Sequence, residues 1–352
     1  MRGRAMEAVE RCRPGRSLAV AALSFVLLTG VAAHDAGGAV GEGARATVDR
    51  LLAEDPPVLV GREGWLYLTQ ELRALVAPAW RQREGLPAER DPLPAIVDFR
   101  DQLRGAGIEL VVVLVPPKVL VVPEPLFGER SAAVAESLGQ ELAALQGELA
   151  RQGVTTLDLL APFARSRSEP ARELFCRTDS HWSPRGIALA ARLIGERLGT
   201  PSWIAGVPRR ELAVERREVA IDGDLGRLRR GERSPREVVE VEEVLERRAG
   251  ALVPLVPWRE SPVLLLGDSH VLVFHAGGDL HTRGAGLPEH LALALGFPVD
   301  VVGVRGSGGT PSRVNLMRRG DALAGKRVVI WVLAARELLA GSDWRRVPVV
   351  RR

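Results

Sequence analysis

Cysteine, lysine and tyrosine are nearly missing from these 352 residues: there are two cysteines, Cys12 and Cys176, two lysines, Lys118 and Lys326, and one tyrosine, Tyr67. Cys12 lies in the N-terminal signal region, so an exported chain that lost its first residues would keep only Cys176, could form no internal disulfide, and would hold that cysteine as a small residue suited to a buried position or a site wall. With so little lysine, nearly every cation is arginine, and the formal net charge is only +4. That skew follows composition and does not mark a nucleic-acid partner. Aromatics make up 4% of the chain, and no motif of the common nucleic-acid modules is present. There is no internal repeat, and after residue 33 no apolar run is long enough to cross a bilayer.

What is present begins at the N-terminus. Arg2, Arg4, Arg11, Arg13 and Arg16 precede the uncharged run "SLAVAALSFVLLTGVAA", which ends in small residues before the polar "HDAGG". This is the pattern of an export signal cleaved after Ala33, or of an uncut anchor in the inner membrane, since a span needs roughly 17 to 25 residues. Residues 1–33 are therefore expected to be a signal peptide or anchor. Residues 34–57 read as a tether with a helical pattern, and residues 58–352 as one folded domain. With 46% apolar residues, a domain of that length can bury a sizeable core.

Within it, helical and strand patterns alternate. "VLVGREGWLYL" reads as strand, glycine turn and strand. "PLPAIVDFRDQLRGAG" reads as a helix leading into "IELVVVLVPP", and a second helix leads into "VTTLDLL". After a charged stretch from 209 to 248 the rhythm resumes with "SPVLLLGDSH", "FPVDVVGV" and "KRVVIWVLA" as strands separated by helices. Strands apolar at successive positions, with helices between them, predict a parallel α/β sheet covered on both faces. The charged stretch mixes arginine and glutamate, as a solvated insertion or hairpin does; the alternative is that its arginines meet an anionic polymer.

Reactive groups in such a sheet gather where strands end at the carboxyl edge. In "PVLLLGDSH" five apolar residues precede Gly267, and Ser269 emerges where a helix can begin, with backbone N–H groups able to stabilise an oxyanion. By itself the motif could equally be an N-cap made by Asp268 and Ser269. A serine hydroxyl is a weak nucleophile and needs a base. "TDSHWSPRG" can supply one: residues two apart in an extended segment point the same way, so Asp179 can hold His181 while the other ring nitrogen faces a serine. Ser183 and Pro184 then read as N-cap and first helical residue, fixing the loop against a helix.

A serine on a "GDS" strand end with an Asp and a His resembles the SGNH hydrolase superfamily, whose ordinary members carry the serine block first. Here Asp179 and His181 precede Ser269. That permuted order, with "GREGWLYL", "VPPKVLVVPE", "TDSHWSPRG", "GDSH" and "KRVVIWVLAARELL" in sequence, resembles the AlgX/AlgJ family of alginate O-acetyltransferases. The chain's end soon after the last strand, without room for a further carbohydrate-binding module, is more similar to the AlgJ-like branch.

The resemblance implies an SGNH-like, flavodoxin-like sheet with a permuted motif order. It implies a periplasmic enzyme that moves acetyl groups onto hydroxyls of an exported polysaccharide, with Asp179, His181 and Ser269 as triad, no cofactor and no metal. It further implies a membrane-bound O-acyltransferase partner that supplies the acetyl groups. Two alternatives stay open: an esterase or polysaccharide deacetylase with the same triad, and a non-catalytic polysaccharide-binding assembly subunit.

Departures from the superfamily pattern set further expectations. No asparagine follows "VVIWVLAARE". After "FPVDVVGV" the sequence offers "RGSGG", so a backbone N–H at Gly306 is a candidate oxyanion donor and Arg305 a candidate source of charge. His270 is expected either to line the pocket or to pack. Lys118, at a strand end, is a candidate for a substrate anion, and Trp182 for stacking on a sugar ring. His270, His275 and His281 are too loosely spaced to form a metal site.

Overall fold

Apolar runs that cannot face water on either side become strands buried in the middle of the molecule. The computed structural model describes residues 41–76, 88–166, 174–229, 236–341 and 343–350; the expected signal or anchor, 1–33, lies outside the described residues. Gly38–Arg352 forms one compact unit. In chain order it opens with α1 (Glu42–Leu52), an antiparallel pair β1 (Val58–Val60) and β2 (Leu66–Leu68), and α2 (Thr69–Val76). There follow α3 (Pro92–Gly105), β3 (Glu109–Val115), the short α4 (Lys118–Val121) and α5 (Glu124–Phe127), the long α6 (Ser131–Arg151), β4 (Thr155–Asp158), α7 (Leu160–Arg165) and α8 (Pro184–Leu198).

The charged stretch forms β5 (Leu212–Ile221), α9 (Asp224–Leu228), β6 (Glu237–Arg248) and β7 (Ala251–Pro254). Then come β8 (Val263–Gly267), α10 (Ser269–Leu272), a small hairpin β9 (Ala276–Gly277) and β10 (Leu280–Arg283), α11 (Leu287–Leu295), β11 (Asp300–Gly303), α12 (Thr310–Arg318), β12 (Val328–Ala334) and α13 (Ala335–Ala340).

The main sheet has the order β11-β8-β12-β3-β4, and all of its pairings are parallel, as the alternation predicts. The last strand, β12, slots between β8 and β3, and all of its residues are buried. Helix α3 begins with the Asp91 side chain accepting from Leu93 N, with Pro92 at the first helical position. It buries Leu93, Ile96, Phe99 and Leu103 on one face, and Phe99 meets Trp331 of β12 edge-on, ring centroids 5.3 Å apart. Each such large side chain removed from water contributes roughly 1.5–3 kcal/mol.

The charged stretch is a hairpin, one of the forms expected of it. β5 and β6 pair from Leu212↔Glu246 to Ile221↔Glu237, with β7 added beyond β6. Val241 is buried on one face and Val244 on the other, each in its own apolar cluster; elsewhere ion pairs such as Arg216–Glu242 and Arg217–Glu243 lie across the two strands near water. The hairpin also has a task that its composition does not announce, taken up below.

Candidate active site

The serine turn is built by glycine and an aspartate latch. A Cβ on Gly267 would run into the carbonyl of Val332 in the adjacent β12, so only glycine lets β8 turn this close to its neighbour. Asp268 is completely buried. Its Oδ1 accepts from His270 N at 2.8 Å and faces His270 Nδ1 at 3.0 Å, while Oδ2 accepts from Ala334 N at 2.7 Å. Asp268 thus caps the single turn α10 and ties the serine turn to the end of β12. Burial alone would raise its pKa, but His270, the Ala334 N–H and the Arg336 charge overcome this and hold it at about 2.

The loop from 174 to 183 is closed on itself. Cys176 N donates to His181 O, Ser183 N donates to Leu174 O, and Phe175 forms a bridge with Trp182. The Ser183 hydroxyl accepts from Gly186 N and starts α8. Residues 177–181 bend instead of running extended as the sequence suggested, and in this bend Asp179 Oδ1 accepts from His181 N at 2.9 Å and from His181 Nδ1 at 2.6 Å. The other ring nitrogen, Nε2, lies 2.7 Å from Ser269 Oγ. An Nδ1–H held by a carboxylate leaves Nε2 as the acceptor, so the serine hydroxyl donates to it. Asp179, His181 and Ser269 are 1%, 6% and 7% exposed, which is little enough that water does not screen the chain of hydrogen bonds.

Several residues around this chain were not singled out in the sequence. Asp179 Oδ2 accepts from Asp224 N at 2.9 Å and from His281 Nε2 at 3.1 Å. The Asp224 carboxylate accepts from Ser180 N at 2.6 Å and Ser180 Oγ at 2.5 Å, and lies 3.9 Å from His181 Nδ1. Glu237 accepts from Arg177 N at 2.8 Å and Thr178 N at 3.0 Å. Both carboxylates belong to the charged hairpin, so that hairpin grips the loop on either side of Asp179. A Cβ on Gly223 would overlap the Thr178 carbonyl, so the hairpin sits tight against the loop. No spacing rule in the sequence links 224 or 237 to 179; both lie in a stretch of mixed charge that reads as a solvated insertion.

Electrostatics set the roles. Burial would lower the His181 pKa, but the charge and hydrogen bond of Asp179, with Asp224 behind them, outweigh it and raise the pKa above the ordinary value; Arg336 opposes weakly. Burial would raise the Asp179 pKa, yet His181 and His281 drive it well below the usual carboxylate range. His270 lies tilted beside His181, ring centroids 4.7 Å apart, and burial lowers its pKa despite Asp268. A neutral His270 adds no charge beside the base. Asp179, His181 and Asp224 bring ligand-type atoms within 4.8 Å of one another. The Nδ1 that would bind a metal instead carries the proton shared with Asp179.

Other candidates take different places. Lys118 is buried, and its ammonium donates to the carbonyls of Leu66 (2.7 Å), Arg177 (2.9 Å) and Asp179 (3.0 Å). It sits over the rings of Trp65 and Tyr67. It therefore clamps the loop from beneath, and the expectation of a substrate anion is corrected. The strand end did aim it at the sheet edge, but the loop lies on top. Trp182 is fully buried and donates from Nε1 to His270 O at 3.2 Å, so it presents no face to a sugar ring. His270 packs rather than lining an open pocket. Arg305 is exposed and pairs with Asp279 at 2.7 Å; Gly306 follows β11 at a φ of 83°, beyond the strand that pairs with β8. Cys176 is buried, and its thiol pKa is pushed well above its usual value by burial and by Glu237 and Asp179. A groove of about 750 Å³ lies on the outer side of the loop, between Arg185 of α8 and Glu240 of β6; neither His181 nor Ser269 lines it.

A parallel sheet with a serine at one strand end, joined through a histidine to an aspartate that precedes both in the chain, defines a serine-dependent acyl-handling site of reversed motif order. Residues 58–335 match the family described as an SGNH hydrolase-like domain, acetyltransferase AlgX, and the chain belongs to that family. It is 30% identical over 170 residues to the probable alginate O-acetylase AlgJ of Pseudomonas syringae pv. tomato, covering 48% of this chain and 40% of that protein. With the probable alginate O-acetylase AlgJ of Pseudomonas fluorescens it is 28% identical over 222 residues, covering 61% and 53%. The matched segments thus span about half the length of these relatives or less. In fold it is similar to the O-acetyltransferase domain of Pseudomonas putida AlgJ, with a TM-score of 0.61, 23% identity, and coverage of 82% of this chain and 94% of that one.

Proposed function

We propose that this chain is an O-acetyltransferase that moves acetyl groups onto hydroxyls of an exported, alginate-like polysaccharide through an acetyl-serine. The observation that carries this reading is the hydrogen-bonded chain from Asp179 through His181 to Ser269. In the first half, Ser269 Oγ attacks the acetyl carbonyl of a donor ester as its proton passes to His181 Nε2, and the same proton then leaves with the donor's alcohol oxygen. In the second half, a sugar hydroxyl gives its proton to His181 and attacks the acetyl-serine, and Ser269 recovers the proton. The backbone N–H groups of the serine turn, with the segment around Gly306, would face the oxyanion.

Export to the periplasm through residues 1–33, cleaved or retained as a tether, and an acetyl supply from a membrane-bound O-acyltransferase complete the proposal. The arginine-flanked apolar run supports the first, and the second rests on the family resemblance carried by the motif order. Among the described residues, no helix is long and apolar enough to cross a membrane.

The test is to incubate the protein with an activated acetyl ester, with and without oligosaccharide. Acetylated sugar supports transfer, whereas acetate alone makes the protein an esterase. A sulfonyl fluoride adduct on Ser269, absent from Ser269→Ala, reports the nucleophile. If neither adduct nor turnover forms, the protein is a binding subunit and the reading fails.

A further inference from the structure

We propose that His281 is a positioning residue that holds the aspartate of this site, making the acid–base pair a three-membered unit, His281–Asp179–His181; the inference rests on the function proposed above. Its side chain is only 3% exposed, and Nε2 points at Asp179 Oδ2 from 3.1 Å. The carboxylate is ionised, so Nε2 carries the proton and donates it. His181 and the Asp224 N–H supply the other donors to that carboxylate, and His281 is the one side chain among these four contacts that comes from the β9–β10 hairpin.

The backbone is bent to make this contact. His281 sits at a φ of 74°, in the left-handed region that a β-carbon disfavours, and Phe274 on the other side of the same hairpin sits at 59°. The two rings lie 4.9 Å apart. A non-glycine residue in that region is strained, and such strain gathers where a side chain must be aimed. Glycine, free at this φ, could not reach Asp179.

The consequence for the base has a definite sign. The His281 N–H draws charge from Asp179 Oδ2 and fixes the plane of the carboxylate so that Oδ1 faces His181. Without it, the carboxylate is a stronger partner for protonated His181 but a poorly aimed one. The titratable and charged groups facing His181 are otherwise the same: Asp224 at 3.9 Å, His270 with ring centroids 4.7 Å away, and Arg336 opposing. The acid limb of the rate profile then moves to higher pH while the maximal rate falls.

The experiment compares the full chain with His281→Leu and His281→Gln, whose amide N–H reaches about as far as Nε2, using p-nitrophenyl acetate over a range of pH. We expect kcat for His281→Leu to fall about 10–100-fold, the range seen when a partner that orients a reactive group is removed, with the acid limb displaced upward. The Gln variant should recover most of both. Leu and Gln variants equally impaired, or a fall in rate with an unmoved acid limb, would mean that His281 only packs against Phe274 and would overturn the proposal. If the wild-type chain proves inert toward the ester, the functional reading fails. The positioning role is then read separately from the downfield N–H signal of His181 Nδ1, which should shift in His281→Gln and more so in His281→Leu; a signal that does not move overturns it.

Discussion

Replacing Asp179 by asparagine changes one atom at the point where four hydrogen-bond donors converge. Oδ1 accepts from His181 N and Nδ1, and Oδ2 accepts from Asp224 N and His281 Nε2. An amide can accept on one side only. If its oxygen faces His181, its NH2 meets the Asp224 N–H. If its NH2 faces His181, it meets the His181 backbone N–H and forces the ring proton from Nδ1 to Nε2, where it points at Ser269 instead of accepting from it. Either arrangement leaves a buried backbone N–H without an acceptor, costing about 1–3 kcal/mol of stability. Both also remove the negative charge that raises the His181 pKa. A misdirected base in a serine triad lowers the rate about 10⁴-fold, which at 1.36 kcal/mol per tenfold is about 5.4 kcal/mol of barrier. The assay is single-turnover release of p-nitrophenol from p-nitrophenyl acetate, with circular dichroism to confirm folding. A folded Asp179→Asn variant within tenfold of the wild-type rate would refute the assignment of Asp179 as the residue that orients the base.

The rate for an acetyl ester should rise with pH along a single-proton limb whose midpoint lies above 6.5. His181 acts only when neutral, and Asp179 with Asp224 raises its pKa against the opposing effect of burial; Asp179 stays ionised throughout, so a two-proton limb would contradict the pairing. Lys118→Met strips a charged donor from three buried carbonyls and should cost about 3 kcal/mol. That lowers Tm by roughly 6–12 °C at 2–4 °C per kcal/mol, and calorimetry showing a fall of less than 2 °C would remove the clamp role. Gly223→Ala drives a methyl group at the Thr178 carbonyl; the acid–base loop should shift and the rate fall at least tenfold, with a smaller loss in Tm because the clash lies at the edge of the core. Stability to acid depends in part on Asp268, whose pKa of about 2 in the folded state lies below its unfolded value. Its contribution is complete above about pH 4 and is lost as pH falls toward 2, so Asp268→Asn should flatten the acid branch of the denaturation curve.

The pieces legible in the sequence are those whose causes are local. Apolar runs such as 263–267 and 328–334 are strands because they cannot be exposed on either face. Ser183 with Pro184 starts a helix whatever lies around it. Asp179 and His181 do meet, but through a bend in which Asp179 Oδ1 accepts from His181 N, not through the alternation of an extended segment. Tertiary structure decided everything that depends on which segments meet. Strand order put β12 between β8 and β3, so the Ala334 N–H, far along the chain, holds the serine turn through Asp268. The sheet edge that seemed to offer Lys118 to a ligand is roofed by the 174–183 loop, and the same ammonium became an internal clamp. An insertion that read as solvated charge supplies Asp224 and Glu237 to that loop, and a histidine set aside as badly spaced for a metal reaches Asp179 from a hairpin. Hydrogen bonds among buried polar groups act over about 3 Å and carry no trace of sequence separation, so the atoms that aim a catalytic group become visible only once the chain has closed around it.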